Sequence, residues 1–148
     1  MKRIKIDASR CDGCKNCSLA CMNSHRTDGG TDVVTLDLLD VNTVARNEIV
    51  SDGRGGYLPM FCRHCSDPKC EGSCMSGALY RDEGSGHIMY DEKKCGACFM
   101  CVMNCPYGIP KVDESRTKII KCDFCNDRPE GPACVAACPK NAIYVEEV

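Results

Sequence analysis

Sixteen cysteines in a chain of 148 residues fall into four groups. Group III is the most regular: Cys95, Cys98, Cys101 and Cys105, followed by Pro106, are spaced C-x2-C-x2-C-x3-C-P. Group I, Cys11, Cys14, Cys17 and Cys21, repeats that spacing with Met22 in place of the proline. Group II, Cys62, Cys65, Cys70 and Cys74, reads C-x2-C-x4-C-x3-C. Group IV, Cys122, Cys125, Cys134 and Cys138, reads C-x2-C-x8-C-x3-C and ends on Pro139. Thiolates are soft donors that suit iron–sulfur clusters. Three of them at three-residue steps turn inward from one loop, and the fourth lies beyond it. In two-cluster proteins with this spacing the fourth cysteine ligates the other cluster of the pair. Four complete groups imply four [4Fe–4S] clusters with every iron saturated. With no open iron for a substrate, and no CxxxCxxC radical-generating loop, the expected role is a non-catalytic electron carrier.

Short elements must present these loops. Lys2–Ile6 alternates as a strand does, and Ser18–Met22 opens a short helix that carries Cys21 away from its loop. Ala78–Tyr80 and His87–Tyr90 flank the turn Asp82–Gly86, a hairpin signal. Asn141–Glu146 reads as a closing strand. The stretch 22–61 is one long insertion with six acids against three arginines. Alternation of Val34, Leu36 and Leu38 predicts a strand over 33–41, Glu48–Val50 predicts another, and Tyr57–Phe61 runs extended. The insertion reads as a β-rich cover over the clusters and a docking surface for a partner. The chain is an internal repeat: Tyr90 to Cys95 echoes Ile6 to Cys11, and Cys138 to Ile143 echoes Cys74 to Leu79. Four units taken in pairs make an α+β protein of two modules with a pseudo-twofold repeat.

Composition narrows the alternatives. There is no Trp, and aromatics are 5% of the chain, too few large apolar side chains for an ordinary core of this size. Metal binding contributes to folding in such proteins, so the apo form is expected to be largely unfolded. A disulfide scaffold is disfavoured, because Met1–Asp7 has no apolar signal region and closely spaced thiols seldom have bridge geometry. Zinc sites pair two separated C-x2-C units, and three cysteines at three-residue steps exceed that need. No apolar run reaches the roughly 18–20 residues of a membrane span. The formal charge is −2; four oxidised cubanes with their thiolates add about −8, for about −10 in all. That charge and the absence of a basic stripe exclude nucleic acid as a partner. His64 and His25 near the ligands read as hydrogen-bonding or surface residues. Lys121, and Lys93 with Lys94, read either as solvated lysines or as cations that raise a cluster's potential. Met60, Met75, Met100 and Met103 are expected to pack against cluster sulfide.

With the four groups in this order, the chain resembles the four-cluster ferredoxin-type electron-transfer subunits. The resemblance is carried by Cys11 to Cys21, Cys62-Arg63-His64-Cys65 with Cys70 and Cys74, Cys105-Pro106-Tyr107-Gly108, Lys121-Cys122-Asp123-Phe124-Cys125, and Pro132-Ala133-Cys134 with Cys138-Pro139. Met75 departs from it, since proline is usual there. The family includes the iron–sulfur subunit of nickel carbon monoxide dehydrogenase and subunits of formate-hydrogenlyase-type complexes and tungsten aldehyde oxidoreductases. It also includes the beta subunits of dimethyl sulfoxide reductase, polysulfide reductase and formate dehydrogenase. The resemblance implies two ferredoxin-like modules, residues 1–21 with 106–148 and residues 62–105, around the insertion 22–61. It pairs group I with IV and II with III. One cluster then takes Cys11, Cys14, Cys17 and Cys138, and its neighbour Cys122, Cys125, Cys134 and Cys21. In the other module one takes Cys62, Cys65, Cys70 and Cys105, and its neighbour Cys95, Cys98, Cys101 and Cys74. Spacing alone leaves a pairing of I with II open. The implied partner is a catalytic oxidoreductase subunit: carbon monoxide dehydrogenase first, with a hydrogenase or a tungsten or molybdenum enzyme as alternatives. A freely diffusing polyferredoxin is a further alternative. With the sequence ending at Val148, no membrane-anchoring helix is expected, and the setting is an anaerobic cytoplasm or the periphery of a membrane complex.

Overall fold

A computed structural model describes residues 1–148. In sequence order the elements are β1 (Lys2–Ile6), α1 (Asn16–Ser24), β2 (Glu48–Ser51), β3 (Tyr57–Met60), α2 (Lys69–Gly72), β4 (Leu79–Arg81), β5 (Ile88–Tyr90), α3 (Met100–Asn104), β6 (Lys111–Val112), β7 (Ile119–Ile120), α4 (Ala133–Ala136) and β8 (Ile143–Glu147). The protein is thus α+β, made of short helices and four antiparallel pairs: β1–β8, β2–β3, β4–β5 and β6–β7.

One construction occurs twice. Asp7 and Asp91 each cap a 3-10 turn, Ala8–Arg10 and Glu92–Lys94, by accepting the N–H two residues ahead. The N–H of Asp7 donates to the Ala142 carbonyl and that of Asp91 to the Ala78 carbonyl, both at 2.8 Å. Residues in the left-handed conformation, Lys15 and Phe99, then lead into α1 and α3. Helix α1 packs on α4, and α3 on α2. One half runs α2, β4, β5, α3 without a break. The other is split across the sequence, with β1 and α1 at its start and α4 and β8 at its end. Pairing of the terminal strands joins it, with Ile4 opposite Val145 and Ile6 opposite Ile143.

The expected strand over 33–41 does not form. Val33–Thr35 is a 3-10 turn, and bends and turns follow. Asp32, Asp37 and Asp40 accept from the N–H groups of Val34, Leu39 and Asn42. Such local bonds offer the backbone an alternative to a strand ladder. Arg26 fastens the start of this loop through Asp28 and the carbonyls of Asp32 and Thr35. The β character of the insertion is confined to the β2–β3 hairpin, Ile49 opposite Pro59. The β6–β7 pair has no counterpart among the sequence expectations. Its strands are two residues long, and its turn is organised by Asp113, which accepts from the N–H groups of Thr117 and Lys118.

The apolar core is thin. Ile4, Ile49, Phe61, Phe124, Cys134 and Ile143 form one buried group, and Leu79, Ile88, Cys101 and Ile119 a second. Only 25 of the 148 residues are buried. A fully buried aliphatic side chain contributes about 1.5–3 kcal/mol, whereas ordering each residue's backbone costs about 1–2 kcal/mol. So few buried side chains cannot order the whole protein, and each group already contains a cysteine. Stripping the metal with a chelator under anoxic, reducing conditions is therefore expected to abolish the cooperative urea transition followed by far-UV circular dichroism. A cluster-free protein that unfolds with native-like cooperativity would contradict this.

Candidate metal centres

Each centre begins with a C-x-x-C turn, and the four turns share one backbone feature. The residue before the second cysteine has positive φ in all of them: Gly13 at 74°, His64 at 42°, Ala97 at 54° and Phe124 at 62°. A left-handed residue reverses the chain sharply within the turn. Glycine adopts it freely, while a side chain there costs roughly 1–2 kcal/mol. Three of the four turns accept that cost. Nothing in the cysteine spacing announces the feature, and only Gly13 hints at it in sequence. Gly13 is doubly constrained, because a Cβ there would lie 2.5 Å from the Tyr57 ring on β3.

The cysteines converge across groups. Cys11, Cys14 and Cys17 line one pocket with Cys138, the last cysteine of group IV, under Ile49, Pro59 and Phe61. Cys95, Cys98 and Cys101 line another with Cys74, the last cysteine of group II. Burial and neighbouring cysteines raise several of the thiols. Burial, then Cys62 and Cys105, pushes the Cys65 thiol up. Cys70 is raised by burial, with Cys62 and Cys105 adding to it. Cys134 is raised far by burial, with Cys21, Cys125 and Cys17 adding. Burial and, less strongly, Cys138 and Cys14 push Cys17 up to about 11. Burial and then Cys74, Cys70 and Cys98 push Cys101 up to about 11. No disulfide links any of the sixteen cysteines. Thiols this buried and crowded give up their protons readily only to a metal, which deprotonates a coordinating thiol outright. The donor sets therefore fit iron–sulfur cubanes, which would supply one-electron redox chemistry when bound.

Backbone N–H groups already point at several ligand sulfurs. Arg46 donates to Cys21 Sγ at 3.2 Å, Ala142 to Cys138 Sγ at 3.3 Å and Phe124 to Cys122 Sγ at 3.4 Å. Burial raises Cys74, but N–H groups of Leu79, Ala78 and Ser76 together with the Ser76 hydroxyl hold it below the usual thiol range. His25 is a fixed hydrogen-bonding residue: Nδ1 lies 2.8 Å from the Cys21 carbonyl and Nε2 3.1 Å from Asp123. Burial lowers its pKa, but the bonds to Asp123 and Cys21 outweigh this and hold it at about 10. Arg46 also pairs with Asp123, at 2.7 Å. That carboxylate stays well below the usual range: burial opposes this, and His25 and Arg46 prevail. His25, Asp123 and Cys125 are close enough to share a cation, but Asp123 is already committed to its two basic partners.

Lys121 is not a solvated surface lysine. It is 4% exposed, and its ammonium donates to the carbonyls of Ile88 and Cys122. Its charge acts on the Cys70 and Cys122 thiols. His64 is buried as well; burial and then the Lys121 charge push it down to about 2, so the ring is neutral. Two of the methionines expected against sulfide do not pack into the protein core. Met75 and Met103 are 86% and 71% exposed; Met75 follows Cys74 into an outer turn, and Met103 takes the outward face of α3.

Known proteins share this arrangement of cysteines. A family model for the 4Fe–4S dicluster domain matches residues 54–148. The B subunit of anaerobic dimethyl sulfoxide reductase of Escherichia coli (strain K12) is 37% identical over 153 residues, covering 93% of this chain and 69% of that protein. Electron transport protein HydN of the same organism is 34% identical over 155 residues, covering 95% and 85%. The beta subunit of NADH-dependent phenylglyoxylate dehydrogenase of Aromatoleum evansii is 37% identical over 145 residues, covering 95% of this sequence and 29% of that one. One component of the active site complex BamBC of benzoyl coenzyme A reductase superposes with a TM-score of 0.53 at 26% identity, over 100% of this chain and 80% of that one. This chain therefore belongs to the 4Fe–4S dicluster ferredoxin-type electron-transfer subunits, the group of the dimethyl sulfoxide reductase B subunit and HydN. Its relatives are electron-transfer subunits rather than catalytic ones, and its sixteen cysteines provide for four [4Fe–4S] clusters. These relatives do not indicate the carbon monoxide dehydrogenase partner anticipated from sequence. No helix is long and apolar enough to cross a membrane.

The turn geometry yields a paired expectation. Gly13→Ala combines positive φ with collision against Tyr57 and should cost about 2 kcal/mol or more, with one cluster lost selectively on mild oxidation. Ala97→Gly relieves a left-handed alanine and should leave all clusters intact. Iron and sulfide analysis with EPR during a timed oxidation checks both; equal retention in the two variants would contradict the constraint.

Proposed function

We propose that the protein is the small electron-transfer subunit of an oxidoreductase complex, carrying four clusters as a wire between a catalytic subunit and its redox partner. Two ferredoxin-like modules hold them: residues 1–21 with 106–148, and residues 62–105, with 22–61 as the insertion. The ligand sets are Cys11, Cys14, Cys17 with Cys138; Cys122, Cys125, Cys134 with Cys21; Cys62, Cys65, Cys70 with Cys105; and Cys95, Cys98, Cys101 with Cys74. The observation that carries the reading is the pair of cavities in which three cysteines of one group meet the last cysteine of another. The packing of α1 on α4 and of α2 on α3 supports the same pairing.

Swapped ligation brings the two clusters of each module close together, since Cys17 and Cys21, or Cys101 and Cys105, are one helical turn apart on the same segment and serve different clusters. Short spacing suits electron transfer. The catalytic partner is an enzyme of the tungsten and molybdenum oxidoreductase kind, such as a dimethyl sulfoxide reductase, in an anaerobic cytoplasm. The insertion offers a surface for it: Val34 and Leu39 are 84% and 93% exposed, in a loop rimmed by Asp32, Asp37 and Asp40. Anaerobic affinity purification from the native host tests this. One catalytic oxidoreductase subunit should co-purify and reduce or oxidise the clusters. A lone monomer that exchanges electrons with several unrelated enzymes would establish the freely diffusing polyferredoxin instead.

The ligand sets have their own test. Cys105→Ser should alter the EPR signal of the cluster that Cys65→Ser also alters. Loss confined to the cluster altered by Cys98→Ser would show that Cys105 serves its own group.

A further inference from the structure

Two buried side-chain nitrogens have no hydrogen-bond partner, Nε2 of His64 and Nε of Arg3. Both are donors. The Ile88 N–H donates to His64 Nδ1 at 3.0 Å, so Nδ1 presents a lone pair and the ring proton resides on Nε2. His64 is 1% exposed, between Cys62 and Cys65, and held in the left-handed conformation. Its protein neighbours offer no acceptor. The ring lies 4.6 Å from that of His87 and edge-on to Phe124 at 5.8 Å. His87 is itself engaged at both nitrogens, with Asn126 and with the Lys2 carbonyl. Lys121 is a donor only. Arg3 is on the same side: it follows Lys2 on β1, whose carbonyl is 2.8 Å from Nε2 of the same His87 ring that packs on His64.

Buried donors are almost always satisfied, and each exception calls for a further partner or a functional role. Here both exceptions fall beside the C-x-x-C turn of group II. The acceptors that belong at that turn are sulfurs, those of the ligands and of the cluster they hold. We infer that His64 Nε2–H, with Arg3 Nε–H beside it, donates to sulfur of the cluster held by Cys62, Cys65 and Cys70 and raises its reduction potential. The inference rests on the proposed ligand assignment only for the identity of that cluster. Hydrogen bonds to cluster sulfur are among the determinants of iron–sulfur potential, and a donor favours the more negative reduced form. The position gives the effect a consequence. Phe124 of group IV packs edge-on against His64, and Lys121 donates to the carbonyl of the same Ile88 whose N–H donates to His64, so the group II and group IV loops face each other across the junction of the two halves. His64 and Arg3 then adjust the cluster through which electrons pass from one half to the other.

His64→Asn is the informative variant. Asparagine tolerates positive φ, and its Oδ1 can replace Nδ1 as acceptor for the Ile88 N–H, but it has no donor at the Nε2 position. The fully loaded protein is titrated anaerobically by EPR. One midpoint should fall by about 59 mV, a tenfold change in that cluster's oxidised-to-reduced ratio, with the other three unmoved. Pulsed ENDOR in deuterated buffer should show one exchangeable proton coupling lost from the same cluster, and His64→Gln, which keeps a donor, should recover part of both effects. Arg3→Met should lower the same midpoint, which keeps the idea testable if the asparagine variant does not fold. Four unchanged midpoints with unchanged couplings overturn the inference. A shift in a cluster other than the one altered by Cys65→Ser overturns the placement at group II. If Cys65→Ser and Cys105→Ser alter different clusters, the ligand set fails, and the His64 coupling still decides the hydrogen bond.

Discussion

Four thiolates converging on each cluster are the interaction on which the rest of this structure depends. The strands are two to five residues long, and a two-stranded pair is marginal in water on its own. The helices are little longer, below the length at which isolated helices persist. Apolar packing is limited to two small groups of residues, each with a ligand cysteine in it. In the proposed ligand sets, iron–thiolate bonds tie residues as distant as Cys11 and Cys138 and do what a hydrophobic core does elsewhere. The strained C-x-x-C turns fit this arrangement, because His64, Ala97 and Phe124 remain left-handed only where the surroundings hold them there.

The same ligation explains the topology. Each half needs two three-cysteine loops facing each other, with two short strands between them. In residues 62–105 the sequence supplies these consecutively. In the other half it supplies one loop at the start and one near the end, so β1 and β8 must pair across the whole sequence. An ion pair of Lys5 with Glu146 at 3.0 Å spans the same two strands. Under the proposed swapped ligation, consecutive ligands serve different clusters, and a short helix such as α3 is also the shortest covalent link between two redox centres. At the junction of the halves lie His64 and Lys121, bonded to the N–H and the carbonyl of the same Ile88.

Much of this was legible in the residues. The number of clusters and the hairpin around Asp82–Gly86 follow from spacing and turn chemistry. The terminal strands follow from alternation, although their mutual pairing does not. The strand anticipated over 33–41 shows the limit of periodicity. Val34, Leu36 and Leu38 alternate, but three aspartates bond to their own backbone and no partner strand lies alongside. Lys121 and His64 show another limit. A lysine or histidine beside a ligand looks the same in sequence whether it faces water or is sealed between two loops, and only tertiary packing separates the cases. The left-handed turn before each second cysteine is hidden for a related reason, since cluster geometry imposes it on residues that would not choose it.

The central claim is that each cluster is held by three cysteines of one group and the last cysteine of its spatial partner. Diffraction data collected at the iron edge from anaerobically grown crystals of the loaded protein test it most directly. The account predicts four anomalous peaks, with Cys138 at the peak of Cys11, Cys14 and Cys17, and Cys74 at the peak of Cys95, Cys98 and Cys101. Peaks each surrounded by all four cysteines of a single consecutive group would contradict it.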